Sequence, residues 1–221
     1  MIIRDKYGII VQHDKTNPLY KDGGDSAART GIATMVGLVN YNWLGIQAFE
    51  VGNGILVRHP IQAPYNNPNS FSRDQLLQFV GGLRDVKMAK RIFWSRVRAG
   101  FLAQNKLDID LKPKKWYDRD ILTPSHMGHL LRAAQIYWLY PLLVISYAWL
   151  LIDILWSTKV MPYQESNQII CMCSVAGKWA LKLYCWLHPD FRAPIKKYWG
   201  EWRDQAEIGD AIIKFIEEKI K

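Results

Sequence analysis

Asp22-Gly23-Gly24-Asp25-Ser26-Ala27-Ala28-Arg29-Thr30-Gly31-Ile32-Ala33-Thr34-Met35-Val36 decides how the chain is built. A turn-forming Asp-Gly-Gly-Asp run opens into Ala28, Ile32, Met35, Val36 and Val39 at helical spacing, which predicts a helix from about Ser26 to Asn40. The same polar-to-apolar junction recurs at Ser72-Arg73-Asp74-Gln75, Thr123-Pro124-Ser125-His126 and Glu165-Ser166-Asn167-Gln168. Four such starts predict a mainly α fold, a helical array in one domain over residues 1–221. If the starts lie at one end, their polar residues meet in a single pocket.

The remaining stretches fill in around these four. Tyr7 to Gln12 reads as a short strand, followed by a loop with Asn17-Pro18. Gln47 to Val51 and Ile55 to Arg58 flank Gly52-Asn53-Gly54 and predict one small β-hairpin. A Pro- and Asn-rich loop runs from Pro60 to Ser70. Helix two starts at Ser72, with Ser72 and Gln75 spaced as a capping box, and either continues to about Arg98 or breaks near Asp85. Gly100 to Asp120 reads as a long loop. Helix three opens at Thr123 with Pro124 in the first turn and runs to about Tyr140. A further helix follows Pro141, Met161-Pro162-Tyr163 forms a turn, and helix five runs from near Ser166 to before His188-Pro189. An amphipathic helix from about Trp202 to Ile220 ends the chain.

At 221 residues with 49% hydrophobic and 22% charged side chains, the chain can bury a full core and is not generally disordered. The formal net charge of +9 points to an anionic partner. The cations are dispersed, and no zinc finger, RNP-like strand or basic zipper accompanies them, so nucleic acid is not indicated. Ten Trp and eleven Tyr supply core volume or a stacking surface. Cys171, Cys173 and Cys185 fall in one apolar stretch and read as buried, reduced thiols of a cytoplasmic protein. Met1 to Lys6 shows no cleaved-leader pattern.

Residues Ile136 to Trp156 have the length and apolarity to cross a bilayer, and Ile169 to Leu187 could form a second arm. Lys178 and Lys182, Pro141 and the spread of aromatic residues favour a soluble core helix. A membrane-associated helical hairpin over residues 136–187 stands as the alternative.

Capping alone accounts for Asp25, Ser72, Gln75, Thr123 and Ser166. Arg29, Arg73, Asp74, His126 and Asn167 need another reason. Arg29 lies four residues after Asp25, the spacing of an ion pair on one helix side. Arg58-His59 leaves the hairpin just before the long loop. Guanidinium groups near helix N-termini suit an anionic ligand, and Arg29, Arg58, Arg73, Gln75 and Asn167 are the candidate binding residues. Asp25 and Asp74 open separate helices and are a candidate acid and base, with His59 or His126 as auxiliary proton carriers. His126 and His129 have the spacing of a metal pair but no third ligand nearby, so neither metal nor cofactor is expected.

Capped helices that start with chemically active residues, here Gly24-Asp25-Ser26 and Ser72-Arg73-Asp74-Gln75, together with the Trp and Tyr content, resemble the α/α-toroid carbohydrate-active enzymes. Six-hairpin glycosidases and some polysaccharide lyases belong to that group. The resemblance covers residues 22–190 and implies a partial toroid that hydrolyses or cleaves an acidic glycan. A noncatalytic module for an anionic small molecule or a protein partner fits the same residues.

Overall fold

A computed structural model describes residues 2–6, 8–13, 21–40, 43–107, 112–160, 163–202 and 205–221. The loop around Asn17-Pro18 and the Met161-Pro162 turn lie outside the described residues. The described chain is mainly helical: α1 (Ser26–Met35), α2 (Trp43–Gln47), α3 (Arg73–Gly82), α4 (Val86–Arg98), α5 (Pro124–Ala134), α6 (Leu143–Val160), α7 (Tyr163–Ala176), α8 (Lys178–Leu187), α9 (Arg192–Lys196) and α10 (Ala206–Ile220). Two short antiparallel ladders accompany the helices where one hairpin was expected. They are β1 (Gln12–His13) with β2 (Lys21–Asp22), and β3 (Glu50–Gly52) with β4 (Ile55–Leu56). The second is the expected hairpin, turned by Asn53 and Gly54, both with φ above zero.

Helix boundaries shift from the sequence expectation for local reasons. Helix α1 stops at Met35 because Gly37 takes φ +75 and the Leu38 amide bonds back to the Ala33 carbonyl, a glycine-terminated C-cap. The second helical run breaks at residues 83–85, where the Asp85 carboxylate accepts the Lys87 amide and starts α4. Helix α5 ends at Ala134 because Gln135 is left-handed, and the chain crosses Pro141 in a 3-10 turn, Tyr137–Leu142. Gly177, φ +117, splits the expected helix five into α7 and α8.

Two apolar clusters form the core, with α1 and α3 between them. Ala27, Leu76, Phe79 and Val80 point to a cluster with the hairpin, α4 and α5. Ile32 and Leu77 point the other way, to α7, α8 and α10. Each buried Leu, Ile or Phe contributes roughly 1.5–3 kcal/mol relative to exposure. Helices α1 and α3 touch backbone to backbone, because a Cβ on Gly31 or Gly82 would clash with the main chain of the other helix.

Three helices run the same way. Gln75 at the start of α3 reaches Gly24 and Asp25 at the start of α1, while Gly31 meets Gly82 further along both. His129 of α5 bonds the Leu77 carbonyl at 3.0 Å, and His126, one turn earlier, faces Arg73. The starts of α1, α3 and α5 therefore share one end of the molecule.

The apolar stretch that includes α6 departs from the core-helix expectation. Only 22% of its Tyr137–Leu155 window is buried, while Ile169 to Cys173 of α7 are core.

Candidate functional site

Asp25, Arg29, Arg58 and Gln75 meet at the shared end. Gln75 Nε2 donates to the Gly24 carbonyl at 2.7 Å and to Asp25 Oδ1 at 3.0 Å. Arg29 Nη2 lies 3.5 Å from Asp25 Oδ2 and also donates to Gln12 Oε1. Arg58 Nη1 lies 4.0 Å from Asp25 Oδ1 and 3.3 Å from the Gly24 carbonyl, while its Nε donates to the Ser70 carbonyl at 2.7 Å. Arg29 and Arg58 are buried, and both tie chain segments together: Arg58 binds the loop before α1 to the loop before α3. The Asp25 side chain keeps 24% of its exposure.

Gln75 reaches Asp25 because it is not occupied in a capping box. Ser72 makes no side-chain cap bond, so that box does not form, and the Arg73 amide, which such a box leaves free, is taken by Asp120 Oδ2 at 3.1 Å, from a loop 47 residues away. Ser72 Oγ donates to Asp74 Oδ1, closing a local contact. Asp74 thus opens α3 beside Gln75, but its carboxylate is engaged within its own turn.

His59 and His126 hold structural bonds. His59 Nδ1 accepts the amides of Ile61 at 3.1 Å and Gln62 at 2.9 Å, so the ring proton sits on Nε2, 3.0 Å from Asp5 Oδ2. Burial lowers its pKa, and the Asp5 carboxylate opposes that shift. His126 Nδ1 accepts the Thr123 amide at 3.0 Å, the reciprocal half of a capping box with His in the usual place of Glu. Burial, then the Arg73 charge, then His129 push its pKa down to about 3. His129 is buried and pushed down to about 4 by burial. Asn167 lies in the other core, where its Oδ1 accepts the Trp199 indole N–H at 3.2 Å. The Ser166 side chain lies outside the described residues.

Arg73 differs from Arg29 and Arg58. Its guanidinium has no hydrogen-bond or ion-pair partner among the described residues, and its Nε is buried. Beside it lies a group that the sequence reading did not single out. Asp120, which accepts the Arg73 amide, donates its own amide to Asn105 Oδ1 at 3.1 Å, and Asn105 Nδ2 is buried without an acceptor among the described residues. Arg119 Nη2 donates to the Ala103 carbonyl at 2.9 Å and leaves a buried Nε that bonds nothing among the described residues. Arg96, 2% exposed, donates to Ser95 Oγ at 2.7 Å and leaves its Nε likewise. Burial, then the charges of Arg119 and Arg98, push Arg96 down to about 10. One signal was available in the sequence. Met88, Ala89, Ile92, Phe93 and Arg96 share the buried stripe of α4, so Arg96 occupies an apolar position.

No family model, no curated protein and no solved structure matches the chain.

A cavity of about 470 Å³ opens elsewhere, between the N-terminal segment and the far side of α1. Ile2, Ile10, Thr30, Thr34 and Ile46 line it, and none of the anticipated site residues does. Among the described residues no three His, Cys, Asp or Glu side chains gather as a metal set. Cys171 is buried and its thiol is pushed up to about 12 by that burial; Cys173 moves the same way, so both stay protonated.

Two of the buried histidines, His126 and His129, make the fold acid-labile. Each is neutral when folded and takes up a proton near its ordinary value of about 6.5 when unfolded. Their stabilising effect is complete above that pH and declines as pH falls toward about 4 for His129 and about 3 for His126. Between pH 6.5 and 5, above the range in which carboxylates protonate, stability falls by about 2 kcal/mol or more. A urea-midpoint series that is flat over this window contradicts neutral burial. His129→Gln removes part of the slope.

Proposed function

We propose that the end where α1, α3 and α5 begin binds a small anionic ligand, with acidic sugars as the first class to try. One observation carries this reading: Arg73, Arg96, Arg119 and Asn105 bring buried donor nitrogens to one neighbourhood that have no acceptor among the described residues. A buried guanidinium normally sits on a carboxylate, since an unpaired buried charge costs several kcal/mol. Among the described residues Arg96 faces two other arginines instead. An oxyanion would accept these donors and offset the repulsion. The parallel helix starts add their N-terminal dipoles in the same direction.

Calorimetric titration with phosphate, sulfate, galacturonate and neutral galactose tests the proposal. Anions bind and galactose does not, and Arg73→Gln weakens the anions by about tenfold while the melting temperature is retained. Equal binding of galactose and galacturonate, or unchanged affinity in Arg73→Gln, overturns it.

A second reading keeps the glycan hydrolase or lyase. It is favoured by the partial exposure of Asp25 at the start of a helix whose neighbour, α3, opens on Asp74. Turnover of an acidic glycan by the native chain, lost in Asp74→Asn with binding retained, would select it. Binding without turnover across the panel leaves the noncatalytic module.

A further inference from the structure

We propose that the chain docks in the plane of an anionic lipid bilayer through the outer half of α6 and the residues flanking it. Leu143, Ser146, Leu150 and Ile154 are the buried stripe of this helix. Their spacing of three and four residues covers one side, where Ser146 meets Gly128 and Ser125 Oγ donates to Asp153. At about 100° per residue, the other positions sweep roughly half the helix circumference. That half carries Val144 at 73% exposure, Ile145 at 58%, Ile152 at 51% and Leu155 at 53%. Asp153, the one charged residue between Tyr137 and Leu155, is on the packed side.

The breadth of this face identifies its occupant. A single partner helix covers a stripe about 100° wide and would leave an apolar flank in water. The headgroup–acyl boundary of a bilayer embeds a half-cylinder, which matches the arc. Because α6 packs lengthwise against α5, it stays on the body of the protein and lies along the surface of the membrane.

The rim is aromatic and basic. Tyr137 and Trp138, 67% and 71% exposed, stand at one end, and exposed Arg132 sits 5.4 Å over the Tyr140 ring. On α8, Trp179 packs edge-on against Tyr147 at 5.6 Å, and exposed Trp186, Lys178 and Lys182 continue that side. Indole and phenol rings favour the headgroup level, and lysines beside them attract anionic lipid. The formal net charge of +9 acts in the same sense.

Co-sedimentation of the full chain with vesicles tests this, using phosphatidylcholine alone and phosphatidylcholine with about 30 mol% phosphatidylserine. The native chain pellets with the mixed vesicles, and added salt weakens binding. The exposed-face variant Ile145→Glu/Ile152→Glu reduces binding by at least about tenfold, and Lys178→Glu/Lys182→Glu by about thirtyfold. Absence of binding to both vesicles overturns the proposal. So does a dimer in sedimentation equilibrium that Ile145→Glu/Ile152→Glu converts to monomer without vesicle binding, which would assign the face to a second copy.

Discussion

Gly31→Ala and Gly82→Ala are each expected to lower stability by about 3–4 kcal/mol, near the upper end for a single added methyl group. A Cβ on Gly31 would fall within clash distance of the Gln78 carbonyl oxygen and the Phe79 Cα. A Cβ on Gly82 would do the same against the Gly31 carbonyl. Both obstacles are main chain, so relief requires α1 and α3 to separate. That movement would part Ile32 and Leu77 from one core and Ala27 and Leu76 from the other. For a chain of this length the loss corresponds to about 10 °C in melting temperature. Gly81→Ala is the internal control. Its added methyl would lie 3.3 Å from Cys171 Sγ and Met35 Sδ, both side-chain atoms that can shift, and costs under about 1 kcal/mol. Equal losses at Gly81 and its two partners would refute the close-approach account.

The same pair of helices shows what the sequence made legible. The α1 start, the Asn53-Gly54 hairpin and the Thr123-Pro124 start depend on neighbours a few residues apart, and all three appear where local chemistry put them, although Asp25 makes no side-chain cap bond and turns to Arg29 and Gln75 instead. Asp25 and Arg29 meet for the same reason, since four residues is a helical repeat. Gln75 illustrates the limit. Ser72 and Gln75 satisfy the capping-box spacing, yet Ser72 turns to Asp74 and Gln75 turns to Gly24 and Asp25 at the start of α1. Acceptors 50 and 51 residues away leave no trace in the local pattern.

Helix α6 shows a second limit. A helix that is apolar all round carries no periodic mark of which side is packed, so Tyr137–Leu155 gave length and hydropathy but no face. Packing alone reveals that Leu150 and Ile154 are inside and Val144 and Ile145 outside. Arg96 is the opposite case, because its place in the apolar stripe of α4 was readable by periodicity. Its buried nitrogen, which has no acceptor among the described residues, depends on what the loops around Ala103 and Arg119 bring to it.

Asp25→Ala is expected to lower stability by about 2–4 kcal/mol, discounted from the fully buried case because the carboxylate is partly in solvent. Arg29 and Arg58 both face this carboxylate from positions 1% and 9% exposed. Without it, two buried guanidinium groups keep their carbonyl and amide acceptors but lose the counter-charge between them. Gln75 Nε2 loses one of its two acceptors at the same time. Asp25→Asn separates these effects. It keeps a side-chain oxygen for Gln75 and removes the charge, so the difference between the two variants isolates the hydrogen bond at about 1 kcal/mol. Urea denaturation of both variants, repeated with sodium sulfate and with sodium chloride at equal ionic strength, provides the measurement. If the cation pair drives the loss, sulfate restores part of it in Asp25→Ala beyond its general stabilising effect on the native chain, because a divalent oxyanion can take the carboxylate's place between Arg29 and Arg58. A loss below about 0.5 kcal/mol, the range of ordinary surface changes, would mean that the other partners of the two arginines, Ser70, Gly24 and Gln12 among them, hold them without the carboxylate.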